Sequence, residues 1–392
     1  MRVRSVAAKG RVAAAVAATA LAAVSVACGA IAAGRAAAAD APRSATNCGA
    51  CHKLFKVQWE GSAHGTSWKN PVFRAFLEEA TKSLGSAVQP GCIACHAPAA
   101  HVAGDANVAD PVSQEGIGCN FCHNIKDVDP STKPASYVHD PSDPSLMRGP
   151  YRDSDARGGH KTAFSEVHTK SAFCAACHSA AHPKSGVILE PTYLDWSRSA
   201  AAAKGRQCQD CHMPAGPGKA SNIAKTTRPS VSAHTFVGPR TTPAWLDSSA
   251  TLAAAVSGNR LRLEVANRAA GHALPGGGNS MRTVQLDVVF RNGKGAELSR
   301  LTAERFGVEF SDADGTYPVP KWIARAVARS TSIPPDSSRV VWCDLPPGAA
   351  TAEAVLTYHA IHPAYRPMLE SRGVDLTGRA PYVMARAKVT IP

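Results

Sequence analysis

Ten of the twelve cysteines fall in five copies of C-x-x-C-H: CGACH at Cys48 to His52, CIACH at Cys92 to His96, CNFCH at Cys119 to His123, CAACH at Cys174 to His178 and CQDCH at Cys208 to His212. Thiols at i and i+3 lie on one side of a helical turn, where they can add to the two vinyl groups of one haem. The next residue then projects its imidazole at the iron. A zinc ribbon gives no reason for a His after every second Cys. A thioredoxin-like pair occurs once, between a strand and a helix. A disulfide across i and i+3 of a helical turn is strained. The pattern therefore reads as five covalently bound c-type haems. They are attached through Cys48, Cys51, Cys92, Cys95, Cys119, Cys122, Cys174, Cys177, Cys208 and Cys211, with His52, His96, His123, His178 and His212 as proximal iron ligands.

The sixth ligand of each iron decides what the haems can do. A second protein ligand closes the iron and suits it to passing electrons; an open position can bind a substrate. Fifteen histidines less the five in the motifs leave ten for this role, which favours bis-histidine ligation throughout or nearly so. His64, in WEGSAH, lies shortly after the first motif between Trp59 and Trp68. His168 sits six residues before Cys174, in a segment expected to be helical, and His160 precedes it in a loop. His234 follows the last motif in SAHTF, and His272 stands in the Gly-rich GHALPGG between two expected strands. These five are the candidate distal ligands. His101, His139 and His182 lie near motifs but are weaker candidates, and His359 and His362 read as surface residues. Met213 follows the last motif too closely to reach the far side of that iron.

The elements that must position these groups differ along the chain. All five motifs lie between Cys48 and His212, with first cysteines 44, 27, 55 and 34 residues apart, so there is no regular repeat. Val72 to Ser83 and Pro191 to Ala203 are expected as helices, with loop around them. Such a segment cannot build a core from its own side chains, and the haems must serve as the core. From Lys219 the pattern changes to period 2, at Leu261, Leu263 and Val265, then Val284, Leu286, Val288 and Phe290. It continues at Val340 and Trp342, at Val355 and Thr357, and from Val383 to Ile391. Asn292-Gly293 marks a hairpin, and Cys343 is expected as a small buried residue. The expected architecture is multidomain: a leader at 1–39, a haem-packed, mostly α or irregular domain at 40–240, and an all-β, Ig-like sandwich at 241–392.

The leader carries Arg2, Arg4, Lys9 and Arg11, then an Ala- and Val-rich run, then A-x-A at Ala37 and Ala39. It reads as a secretory signal, with an uncleaved anchor or a lipid on Cys28 as alternatives that would attach the protein to a membrane. The expected location is periplasmic or otherwise exported, the outer surface included. The formal charge of +13 includes five basic residues and no acids before residue 40, leaving +13 − 5 = +8. Roughly ten haem propionates would neutralise that remainder, which removes the case for nucleic acid as a partner.

Taken together, WEGSAH, CIACHAP, EGIGCNFCH, RGPYRD, the GGH and VHTKSAFCAACH blocks, TYLDWSRSA, CQDCHMP, SAHTF and NRAAGHALPGG resemble the multihaem c-type cytochromes of the cytochrome c-554-like group, especially those with a C-terminal β-sandwich. The resemblance covers most of the chain after the leader. It implies an exported electron-transfer protein with closely packed, mostly bis-histidine haems, and it places His64, His168, His234 and His272 at positions associated with distal ligation. One block departs from the pattern. The second W-x-x-S, Trp196 to Ser199, continues with Ala200 and Ala201 where the first has Ala63 and His64, so that copy supplies no ligand.

Three functions compete at this level. The first is an electron carrier rather than an enzyme, passing electrons between redox partners such as a membrane quinol dehydrogenase or other cytochromes. The second is an oxidoreductase acting on a small nitrogen or sulfur compound at one open haem, which all five motifs ending in His make less favoured. The third is a binding module in which the sandwich recognises a surface polymer, a mineral or another cytochrome.

Overall fold

The computed structural model describes residues 44–392 apart from 141, 155, 157, 158 and 279, and these belong to one compact unit. The leader and Cys28 lie outside the described residues. No helix among the described residues is long and apolar enough to cross a membrane.

The C-terminal half is built on seven antiparallel strands. They are β1 (Ala250–Ser257), β2 (Arg260–Asn267), β3 (Thr283–Arg291), β4 (Glu297–Phe306), β5 (Ser337–Asp344), β6 (Thr351–His359) and β7 (Tyr382–Thr390). Three form a sheet in the order β5-β2-β1 and four a sheet in the order β4-β3-β6-β7. Alternate side chains of both sheets enter one core: Leu261, Leu263 and Val265 from the first, and Val284, Leu286, Val288, Phe290 and Leu356 from the second. Side chains alternate across a strand, so this is the period-2 signal realised. Asn292 makes the expected hairpin turn, its amide donating to the Ala296 carbonyl at 3.0 Å. Cys343 is buried in the same core.

On two strands the apolar alternation marks the wrong face. Val340 and Trp342 are each 41% exposed, and the inward residues of β5 are Val341 and Cys343. On β6 the buried set is Ala352, Ala354, Leu356 and Tyr358 rather than Val355 and Thr357. β5 carries apolar residues on both faces, and only its register with β2 decides which face is inside; β6 alternates Ala352, Ala354, Leu356 and Tyr358 inward against Thr351, Glu353, Thr357 and His359 outward, with Val355 alone apolar on the outer side. In β7 a bulge at Met384 turns that residue inward and leaves Val383 exposed.

The N-terminal half consists of short helices and two-stranded ribbons. Pro71–Leu84 is its longest helix, close to the expected span. Asn70 caps it by accepting from the amides of Val72 and Phe73, and Gly85 ends it. Its buried face, Ala75 and Phe76, packs on Ile361, Tyr365, Leu369 and Leu376 from the β half. Arg372 reinforces the contact with ion pairs to Glu78 and Glu79. Val187 and Leu189 pack likewise against Val308 and Phe310. The expected helix at 191–203 is broken into Thr192–Ser197 and Ala200–Ala203, because the Ser199 hydroxyl accepts from the Ala202 amide and starts the second piece anew. His168 stands in a 3₁₀ turn, Glu166–Thr169, rather than an α-helix.

Candidate functional site

Each motif is held by a helical turn. The last four lie in the helices Gln89–His96, Cys119–His123, Ala172–His178 and Cys208–His212. In the first, Cys48 lies in Ala45–Gly49 and the His52 amide donates back to the Cys48 carbonyl at 2.8 Å. The short helices converge on a single cavity of about 3030 Å³, lined by all ten motif cysteines and all five motif histidines. A small-molecule pocket holds roughly 300–1,000 Å³, so this space accommodates several large ligands. Small apolar clusters flank it around Ile93, Ala97 and Ala100 and around Phe121, Ile125 and Ala176, and Leu274, Tyr358, Phe76 and Ile361 of the larger clusters also line it.

Motif cysteines of different copies lie together. The side chain of Cys119 meets that of Cys48, Cys95 meets Cys177, and Cys174 meets Cys208. Cys122 lies near both Cys174 and Cys177. The first motif thus adjoins the third, the third adjoins the fourth, and the fourth adjoins both the second and the fifth.

Four motif histidines face a second imidazole across the cavity. Ring centres are 6.2 Å apart for His52 and His160, 6.3 Å for His123 and His234, 6.5 Å for His178 and His64, and 6.4 Å for His212 and His272. Two imidazoles sharing one metal at roughly 2.0–2.1 Å per bond, with ring centres about 1.1 Å further back, stand about 6.3 Å apart. The far nitrogens of several rings are fixed. Nδ1 of His52, His123 and His212 faces the carbonyls of Ala220, Arg148 and Val237 at 2.7, 2.6 and 2.6 Å. Nδ1 of His160, His234 and His272 faces those of Lys161, Ser232 and Ala273 at 2.9, 3.2 and 2.9 Å. An imidazole anchored through Nδ1 presents Nε2 to a metal, the usual outer arrangement of a metal-bound histidine. The residues present fit iron-bound haem.

Burial also sets the protonation state. It drives His64 down to about 3, aided by His178, His212 and His96, and His96, His168 and His234 to about 4. His123, His178, His212 and His272 are likewise held below the ordinary imidazole range by burial first. Neutral imidazole is the form that binds metal.

Two histidines depart from this arrangement. His168 lies 5.9 Å from His123, but its Nε2 faces the Cys122 carbonyl at 3.1 Å and its ring packs on Phe173 at 4.6 Å. His96 stacks on Phe73 at 3.8 Å, and none of its ring contacts among the described residues is with a second imidazole. Neither feature had a signal in the sequence, because both depend on where separate loops meet. His101, His139 and His182 face no motif imidazole; His101 and His139 lie against Tyr137 and Phe121, and His182 Nε2 faces the Trp322 carbonyl at 3.2 Å. His362 is buried rather than on the surface, because its Nδ1 caps the turn Pro363–Tyr365 and its Nε2 faces Glu309 at 3.5 Å; His359 is half-buried.

The two W-x-x-S blocks fold alike. Ser62 donates to the Trp59 carbonyl at 2.7 Å and accepts from the Gly65 amide; Ser199 donates to the Trp196 carbonyl at 2.7 Å and accepts from the Ala202 amide. The first turn delivers His64. The second offers Ala201, and the loop carrying His272 closes on it: a Cβ at Gly271 would lie 3.5 Å from the Ala201 side chain. The β half thus supplies, from a distant stretch of sequence, the imidazole that the second turn lacks.

Residues 47–124 match the family of cytochrome c554 and c-prime. The fold resembles a penta-heme cytochrome c552 from Thermochromatium tepidum, with a TM-score of 0.69 and 22% identity over 90% of this chain and 100% of that one. A superoxide reductase is matched over 36% of this chain and 86% of its own at 7% identity and a TM-score of 0.18, too slight a likeness to carry an argument. No curated protein matches the chain.

Proposed function

We propose that this chain, whose residues 47–124 match the family of cytochrome c554 and c-prime, is an exported electron-transfer protein in which each C-x-x-C-H motif holds one haem. The observation that carries this reading is the set of four imidazole pairs at 6.2–6.5 Å inside one cavity lined by every motif cysteine. On it, His52 and His160, His123 and His234, His178 and His64, and His212 and His272 are the imidazole pairs that would each hold one haem iron. Bound haem iron supplies one-electron oxidation and reduction. The chain's own part is to hold His64, His123, His178, His212, His234 and His272 neutral by burial, to fix His52, His123, His160, His212, His234 and His272 through carbonyls on Nδ1, and to set the attachment sites against one another. The fourth motif, beside the second, third and fifth, is the junction of that arrangement. The leader supports export. The partners would be redox proteins, a membrane quinol dehydrogenase or another cytochrome, with the two-sheet region, Ig-like on this reading, docking a partner or shielding one end.

His96 supports a second reading at one site. With Phe73 on its ring and no imidazole opposite, a haem attached at Cys92 and Cys95 would keep one open face, where a small nitrogen or sulfur compound could bind. Carbon monoxide added to the dithionite-reduced holoprotein tests both readings. Four closed sites and one open one predict a Soret change confined to about one fifth of the absorbance. A response from most of the haems would sink the assignment of the imidazole pairs as iron ligands, and no response would sink the open face.

A further inference from the structure

Beside the fourth and fifth motifs the cavity wall is strongly basic. Arg240, Arg282 and Arg379 all line it, brought from three separate parts of the chain. Arg240 donates to the Thr66 hydroxyl at 2.8 Å and Arg379 to the Asn70 side chain at 3.4 Å, so the loop after His64 holds both. Arg282, just before β3, donates to the Gly276 carbonyl at 2.8 Å in the loop that carries His272. Arg379 is held below the ordinary arginine range by burial, then by the charges of Arg240 and Arg282, so both neighbouring guanidinium groups act on it.

No carboxylate among the described residues forms an ion pair with any of the three. By contrast Arg148, Arg228, Arg329 and Arg372 each pair with an Asp or Glu. The nearest buried acid, Glu190, feels Arg282 but is engaged by Lys321 at 3.5 Å and by the Thr192 hydroxyl at 2.5 Å. Burial alone would raise the Glu190 carboxyl; Lys321, His178, Thr192 and Arg282 outweigh it and hold it below the usual range. Lys321 and Glu190 cancel, and three positive charges remain. Like charges gathered in a partly buried site are repulsive unless an anion completes it, and planar guanidinium groups suit carboxylate and oxyanion geometry.

We propose that Arg240, Arg282 and Arg379 form an anion site for a carboxylate or small oxyanion, placed between the imidazole pairs His178 and His64 and His212 and His272. Arg282 is tied to the loop that carries His272 through the Gly276 carbonyl, and Arg240 and Arg379 to the segment after His64 through Thr66 and Asn70. Two sources share this chemistry: a propionate of a bound haem, which rests on the cofactor reading above, and a free oxyanion entering from solvent past the exposed Arg240.

The test uses holoprotein carrying Arg379→Gln, Arg379→Lys or Arg240→Gln, with haem content per chain counted first; that count tests the cofactor reading by itself. If a propionate fills the site, loss of a cation lowers the midpoint potential of one or two haems in both Gln variants, while Arg379→Lys stays near wild type. If a free oxyanion fills it, the potentials hold, but sulfate or nitrite titrated at constant ionic strength raises the unfolding temperature of the wild type saturably. The Gln variants would then lose at least tenfold in apparent affinity. Potentials unchanged in both Gln variants, together with no saturable anion effect on the wild type, overturn the site. Arg240→Gln keeps the test decisive should Arg379→Gln fold poorly, since Arg240 is exposed.

Discussion

His168 and His234 both approach His123, and substituting each in turn separates a ligand from a supporting residue. His234 is 6.3 Å away with Nδ1 on the Ser232 carbonyl, so its Nε2 is left for metal. His168 is nearer, at 5.9 Å, but its Nε2 already faces the Cys122 carbonyl at 3.1 Å. On this geometry His234→Ala opens one haem of five. A carbon monoxide difference spectrum should then show one more site responding, about one fifth of the Soret absorbance beyond the wild type, with a matching high-spin signal in electron paramagnetic resonance. His168→Ala should leave the spin states unchanged. It removes one hydrogen bond of about 1 kcal/mol and part of the packing on Phe173, so chemical denaturation should show a loss of about 1–3 kcal/mol. His168 keeps Nδ1 without a hydrogen-bond partner among the described residues, so if His168→Ala opens a haem and His234→Ala does not, reading the ligand from an imidazole anchored through Nδ1 is wrong for this site.

Gly116 has φ 76°, and a Cβ there would lie 2.6 Å from the His64 carbonyl and 2.5 Å from the Ser67 hydroxyl. Gly116→Ala should cost about 2–4 kcal/mol and open the haem at His178 to carbon monoxide, because strain and clash fall on the turn that delivers His64. Leu286, fully buried between the sheets, should cost about 3–5 kcal/mol as Leu286→Ala, measured by denaturant unfolding, with the haem spectra of the folded variant unchanged. Asp195 is raised to about 6, first by burial, against an ordinary 3.8. Its protonated form is favoured in the folded state, so stability is greatest below about pH 3.8, falls as pH rises to about 6, and is level above. Allowing for partial exposure, Asp195→Asn should gain about 1–2 kcal/mol at pH 7 and flatten the profile between pH 4 and 6. An unchanged profile would place that titration elsewhere.

What the sequence determined was local chemistry. Two thiols and an imidazole within five residues need only one helical turn, so the motif is legible without a fold. The same holds for the hairpin at Asn292-Gly293 and for the inward alternation of β2 and β3. Tertiary structure decided everything that depends on separate segments meeting. Val340 and Trp342 face solvent because strand register, not composition, selects the inner face of a strand apolar on both sides. His160, His234 and His272 face motif histidines 108, 111 and 60 residues away; no spacing rule reaches across such loops. Counting histidines could not reveal that His96 stands against Phe73, or that His168 turns to a carbonyl. The arginine cluster was hidden for the same reason. Charge is countable along a chain, but the balance of cations and anions within one cavity exists only after folding.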